Sequence, residues 1–363
     1  MTEYTQDQET FRDVVARFLQ AKSTPADVRR LMDTDEGFDR AVWQQLCREV
    51  GLAGTHIPEE YGGFGFGPVE LGIAAEEMGR YLYCSPFLSS SVMAGYAILN
   101  GASEANRQKL LPEIASGSTI ATLVLDSVNA PEQVGRQLRA TGNELDGAAP
   151  IVTDAHVADL LIVVAEGKEG LDLFSIASDA DGVAIHAQDA LDTTRKLSRV
   201  VLSGAVADKI GHLSEAGLEK TWNQISVALA HEMIGGAQQL FDSTLEYTKV
   251  RVQFGRPIGS FQALKHRCAD LLLALEWAKA VTHHAAFCLC VGEEPETASM
   301  AKAMASDVYM EAARAAVQLR GGIGFTWEED THLWYKRAKA SEVFMGSPHM
   351  HRERLLSQIE EAS

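Results

Sequence analysis

Apolar positions recur at helical spacing over residues 9–19, 41–50 and 69–82, and a further helix pair is expected over residues 89–100 and 104–116. At Thr119 the pattern changes. Residues 120–125, 158–165, 171–177, 183–186 and 198–202 are short β-type runs separated by Gly, Asp and Asn turns. They predict a compact β domain of roughly a hundred residues. From Ser214 the helical spacing returns and continues to the C-terminus. The pattern therefore predicts an α+β protein with an N-terminal α-helical domain (residues 1–118), a middle β domain (119–213) and a C-terminal α-helical domain (214–363).

The length of 363 residues is enough for two or three packed units, and the mix of apolar and charged residues is that of a soluble globular protein. A net charge of -18 argues against nucleic acid or an anionic membrane surface as a partner. It leaves room for a phosphate-rich cofactor, because local Arg and Lys decide that. Cys47, Cys84, Cys268, Cys288 and Cys290 are scattered and lack metal-ligand spacing, so no metal is expected. Cys288 and Cys290 are expected to be buried small apolar residues of a helix. With no signal peptide and no apolar run long enough to span a bilayer, a cytoplasmic location is expected.

The most informative stretch runs from Tyr247 to His266. It leaves one helix, crosses a Gly/Pro-punctuated turn over residues 255–259 and enters another. Arg251, Gln253 and Phe254 stand together at that corner, a set suited to a phosphate-bearing planar ligand and equally compatible with an ordinary helical hairpin. The glycine-rich loop over residues 60–68 follows no strand and precedes no Gly-Lys-Ser/Thr, so it reads as a tight structural turn.

The spacing Arg251-x-x-Phe254-Gly255-x-x-Ile258-x-x-x-Gln262 resembles the acyl-CoA dehydrogenase family. So do Gln318-Leu-Arg-Gly321-Gly322-Ile-Gly324, the segments Trp334-Tyr-Lys-Arg-Ala and Val343-Phe-Met-Gly-Ser347, and Pro58-Glu-Glu-Tyr61-Gly-Gly near the N-terminus. The resemblance implies an N-terminal helical domain, a middle β-barrel or sandwich and a C-terminal four-helix bundle, assembled as a tetramer. It implies FAD as cofactor, an acyl-CoA thioester as substrate and an electron-transfer flavoprotein as acceptor. The matching flavin-site positions are Arg251, Gln253 and Phe254, then Gln318, Gly321 and Gly322, together with Thr153 and Ser347.

Two stretches depart from the family pattern. The loop after the first strand, residues 122–130, keeps neither the Glu-Pro nor the Gly-Ser of the usual Thr-Glu-Pro-x-x-Gly-Ser-Asp, and the Trp-Ile-Thr-Asn counterpart reads Ile151-Val-Thr153-Asp154. The catalytic Glu position is Met345, whose thioether cannot accept a proton. The alternative base position of some relatives falls at Ile225. Glu232 lies on the same helix face, roughly 10 Å further along the axis, and is a candidate base or a polar contact. His349 and His351 are candidate proton acceptors or polar contacts at a helix start. Asp192-Thr-Thr-Arg195 is expected to close a turn through the Asp side chain. Two functions follow. The chain is a base-lacking subunit that completes the flavin site of a homologous partner, resembling heteromeric actinobacterial dehydrogenases of steroid side-chain thioesters. Alternatively, it is an active homo-oligomer with a relocated base.

Overall fold

The structure, a computed structural model, describes residues 4–292 and 296–362. The N-terminal helices begin at side-chain caps that satisfy their first free N–H groups. α1 (Gln6–Lys22) opens at a capping box of Thr5 and Gln8, and α2 (Pro25–Met32) at one of Thr24 and Asp27. α3 (Arg40–Glu49) is capped by Asp39, and α4 (Pro68–Arg80) starts at a proline. The regular helix expected over residues 89–100 is instead a wider π-type coil, Phe87–Ala94, that tightens into α5 (Gly95–Gly101). Its serines bond sideways: Ser89 Oγ donates to Asp154 Oδ2 at 2.6 Å, and Ser90 Oγ accepts from the Ala121 N–H at 3.0 Å. α6 (Glu104–Ala115) completes this region.

The strands are β1 (Ala121–Val124), β2 (Arg139–Thr141), β3 (Glu144–Thr153), β4 (Leu160–Gly167), β5 (Gly170–Ala177), β6 (Val183–Gln188), β7 (Leu197–Val206) and β8 (Asp208–His212). They form a sheet of order β6-β7-β3-β2-β4-β5-β8, with β1 paired in parallel to β4. Three of them were not visible as apolar runs. β2 is short and largely exposed, β8 is polar, and β3 is broken by Gly147, Pro150 and a register shift between Ala149 and Val152.

The C-terminal helices are α7 (Glu215–Val250), α8 (Gln262–Val291), α9 (Thr297–Arg320), α10 (Thr331–Val343) and α11 (Pro348–Ala362). α7 is the central rod, packed on α4, α8, α9 and α10. It approaches α4 almost backbone to backbone. A Cβ on Gly79 would fall 1.8 Å from the Glu232 carbonyl oxygen, and one on Gly235 would fall 1.8 Å from that of Glu76. This crossing sets the depth of the polar side chains on both helices. Cys288 is buried as expected, whereas Cys290 is exposed, because residues two apart on a helix face different sides. Among the described residues no helix is long and apolar enough to cross a membrane.

Candidate functional site

α7 ends at Val250, and Val252–Gln253 then pairs antiparallel with Arg256–Pro257. The two residues between, Phe254 and Gly255, both have positive φ, +52° and +76°, as a tight hairpin turn demands. The turn throws Phe254 into solvent at 91% exposure, its ring edge-on to Phe261, while Arg251 and Gln253 are exposed beside it. α9 ends at the same side of the bundle. Gly321 stops it with φ +66°, and atoms built at the Cβ positions of Gly321 and Gly322 would meet nothing within 4 Å. Gln318 is exposed one turn earlier. Arg320 fixes this end to α7, donating to Thr244 Oγ1 at 2.8 Å and to Ser243 Oγ at 3.1 Å. The corner and the glycine pair are therefore neighbouring open surfaces on one rigid support.

Met345 is fully buried and has φ +58°. Its carbonyl oxygen is 2.8 Å from Nε2 of His351, which is itself buried and whose Nδ1 lies 3.2 Å from Ser299 Oγ. Burial, with Lys302 nearby, pushes the His351 imidazole down to about 3, so it is neutral. Lys302 Nζ lies beneath the same loop, donating to the Gly346 carbonyl and to Ser306 Oγ, both at 3.1 Å. Burial pushes this ammonium down to about 7. Ser347 caps α11, its Oγ accepting from the Met350 N–H at 3.3 Å. His349 is exposed.

The other departing stretch touches this loop. A Cβ on Gly346 would stand 2.9 Å from the Asn129 carbonyl oxygen. Within residues 122–130, Asp126 is buried and its carboxylate gathers the N–H groups of Gly135 at 2.8 Å, Gln137 at 2.5 Å and Leu138 at 3.1 Å. Thr122 Oγ1 donates to the Thr153 carbonyl at 2.7 Å, and Thr153 is 1% exposed with its hydroxyl against Met93. Between the two stretches opens a cleft of about 420 Å³, floored by Trp222 and edged by Glu132, Glu219 and Glu353. Arg354 is paired there with Glu219.

Glu232 sits in a buried ion network. Its Oε2 accepts from Arg195 at 2.5 Å and its Oε1 from Arg337 at 3.0 Å. Arg337 also donates to Asp192 Oδ2 and to Thr194 Oγ1, each at 2.6 Å. Asp192 Oδ1 accepts from the Thr194 N–H at 3.0 Å, the expected turn closure. Burial works against the Glu232 carboxylate, but Arg195 and Arg337 outweigh it and hold the group below the usual glutamate range. A carboxylate so held is a poor proton acceptor. Sequence reasoning missed Arg337, Lys302 and Asp126. Asp126 lies in the loop over residues 122–130 and Arg337 in the Trp334-Tyr-Lys-Arg segment, but neither signals its partners along the chain.

Comparison with known proteins agrees with this architecture. The acyl-CoA dehydrogenase N-terminal domain matches residues 5–118, and the acyl-CoA dehydrogenase C-terminal domain matches residues 219–359. The acyl-CoA dehydrogenase IpdE2 of Mycobacterium tuberculosis is 36% identical, covering 98% of both chains. One chain of the ChsE4-ChsE5 complex from Mycobacterium tuberculosis superposes with a TM-score of 0.90 at 26% identity, covering 99% of this chain and 98% of that one. A variant of the Tcur3481-Tcur3483 steroid ACAD gives 0.89 at 26% identity, covering 98% of each. The open corner after α7, the glycine pair after α9 and the helix, sheet, helix order thus have one explanation: the chain belongs to the acyl-CoA dehydrogenase family.

Proposed function

We propose that this chain is the subunit of an FAD-dependent acyl-CoA dehydrogenase that lacks its own catalytic carboxylate and completes a flavin site shared with a homologous partner subunit. The observation that carries this reading is Met345, buried at the position where the family places its base. α,β-Dehydrogenation removes a weakly acidic α-proton as hydride leaves the β-carbon, and a thioether cannot take that proton. Glu232 is no substitute, because two guanidinium groups already hold its carboxylate.

Bound FAD supplies the two-electron acceptor for that reaction. The residues present fit one end of it. Arg251 offers fixed positive charge for the pyrophosphate, Gln253 and Gln318 offer amides, and Phe254 offers a flat apolar face. The open backbone at Gly321 and Gly322 admits close approach. The end that would face the ring fits poorly. Thr153 is sealed in the interior, and Asp126 is held by three backbone N–H groups. Ser347 is engaged as a helix cap.

In this assignment the partner supplies the base, and electrons pass to an electron-transfer flavoprotein. The steroid ACAD and the ChsE4-ChsE5 complex among the structural neighbours support a steroid-derived acyl-CoA thioester and a two-chain assembly. The test is the visible spectrum of the chain purified alone and after co-expression with a homologous subunit, before and after anaerobic addition of acyl-CoA. A colourless lone chain and a yellow complex that bleaches with substrate support the proposal. A lone chain that holds one FAD per subunit and bleaches would establish an active homo-oligomer instead.

A further inference from the structure

A separate group of ligating side chains, two buried and one half-buried, lies where α1, α4, α7 and α8 meet. Glu76 on α4, His231 on α7 and His283 on α8 each bring one donor atom to within 4.8 Å of the others. Glu76 Oε2 is 3.1 Å from His283 Nε2 and 3.8 Å from His231 Nδ1. His231 is fully buried, and neither of its ring nitrogens has a hydrogen-bond partner. Buried polar groups are nearly always paired, so an orphaned imidazole facing a carboxylate and a second imidazole points to a missing ligand. Its place is specifically made. A Cβ on Gly72 would lie 2.5 Å from His231 Nε2, so only glycine leaves room for the ring. The two imidazoles lie nearly parallel, 16° and 5.3 Å apart, and the Tyr4 ring covers His283 at 5.0 Å with its own buried hydroxyl unpaired.

We propose that Glu76, His231 and His283 form a binding site for one divalent transition-metal ion of the zinc class. Two imidazole nitrogens and one carboxylate oxygen are the donor set that such borderline ions prefer. Metal–ligand bonds of about 2.0–2.2 Å set tetrahedral ligand atoms roughly 3.4 Å apart, and the observed 3.1 and 3.8 Å separations bracket that spacing. His283, at the partly open side, is free to make the remaining adjustment. Arg12 Nη2 lies 3.5 Å from the same Glu76 oxygen, and Arg12 Nε lies 4.0 Å from Glu77 Oε1. Swinging from Glu76 to Glu77 lets Arg12 yield to the ion while keeping a carboxylate partner. The ion would pin α4 to α7 and α8, joining the N-terminal helices to the bundle. This site is independent of the flavin assignment.

The test uses the tag-free full chain, stripped with a chelator and titrated by calorimetry with Zn²⁺ and by visible absorption with Co²⁺. One ion per chain is expected. His283→Ala should weaken binding by more than the roughly 10- to 100-fold that loss of a mere supporting hydrogen bond costs. His186→Ala, at an exposed strand position, should leave it unchanged. Should His283→Ala fail to fold, the Co²⁺-loaded wild type decides, because two ligating histidines give two hyperfine-shifted, exchangeable imidazole N–H signals. No stoichiometric uptake, uptake indifferent to His283→Ala, or no such signals would overturn the proposal.

Discussion

Arg337 Nη1 lies 3.0 Å from Glu232 Oε1 in the buried interior, and the same guanidinium reaches Asp192 Oδ2 at 2.6 Å. The pair thus ties α10 and α7 to the turn between β6 and β7. It converts the most promising carboxylate on α7 into a structural joint.

Glu232→Ala should leave Arg337 and Arg195 buried without their shared partner and cost about 3–5 kcal/mol of stability, the usual penalty for breaking a buried pair from one side. Urea unfolding of the variant measures it. A loss well under 1 kcal/mol would free Glu232 for another role.

The same network carries a pH signature. The Glu232 carboxyl is held below its ordinary value of 4.5. A group depressed on folding stabilises the fold at neutral pH, and that contribution fades as pH falls from the ordinary value through the folded one. The stability gap between wild type and Arg195→Met should therefore narrow on acidification below pH 4.5, as checked by thermal melts across an acid series.

Lys302 behaves oppositely. Its folded value of about 7 lies below the 10.5 of a free lysine, so above pH 7 the unfolded chain binds the extra proton. Stability contributed through this group should rise as pH climbs from 7 to about 8, below the range near 9.0 in which the unfolded chain's thiols titrate and oppose it. Lys302→Met should abolish that slope in denaturant titrations at matched ionic strength.

Met345→Glu places a carboxylate where exposure is 0%. It should destabilise the chain by several kcal/mol, on the order expected for an unpaired buried charge. It should not confer turnover, because the loop over residues 122–130 is also altered. Anaerobic flavin bleaching by the single variant is the check, and brisk bleaching would contradict the assignment.

Arg251→Ala and Phe254→Ala alter exposed side chains, so each should leave unfolding stability within about 0.5 kcal/mol. Both should lower the flavin retained by the assembled complex. Absorbance after gel filtration reads the flavin content directly.

Long periodic segments told their own story in the chain. The helices around residues 9–19 and 69–82, the apolar strands β1, β4 and β5, and the Arg251 to Gln262 spacing were all legible, because each encodes its structure within a few turns or one strand. The substitution of Met for the expected Glu at position 345 was legible for the same reason. The interior polarity was not. Arg337 and Asp192 stand 145 residues apart in the chain, Glu76 and His283 stand 207 apart, and the Asn129 carbonyl meets the Gly346 backbone across another long interval. The chain alone marked the long helices, the apolar strands and the positions of the family motifs, whereas the polar strands β2, β3 and β8 and the π-type coil over Phe87–Ala94 carried no such mark. The tertiary structure alone sets which charges pair and which buried imidazole nitrogens, as on His231, lack a hydrogen-bond partner, because those outcomes depend on burial and on contacts between distant segments.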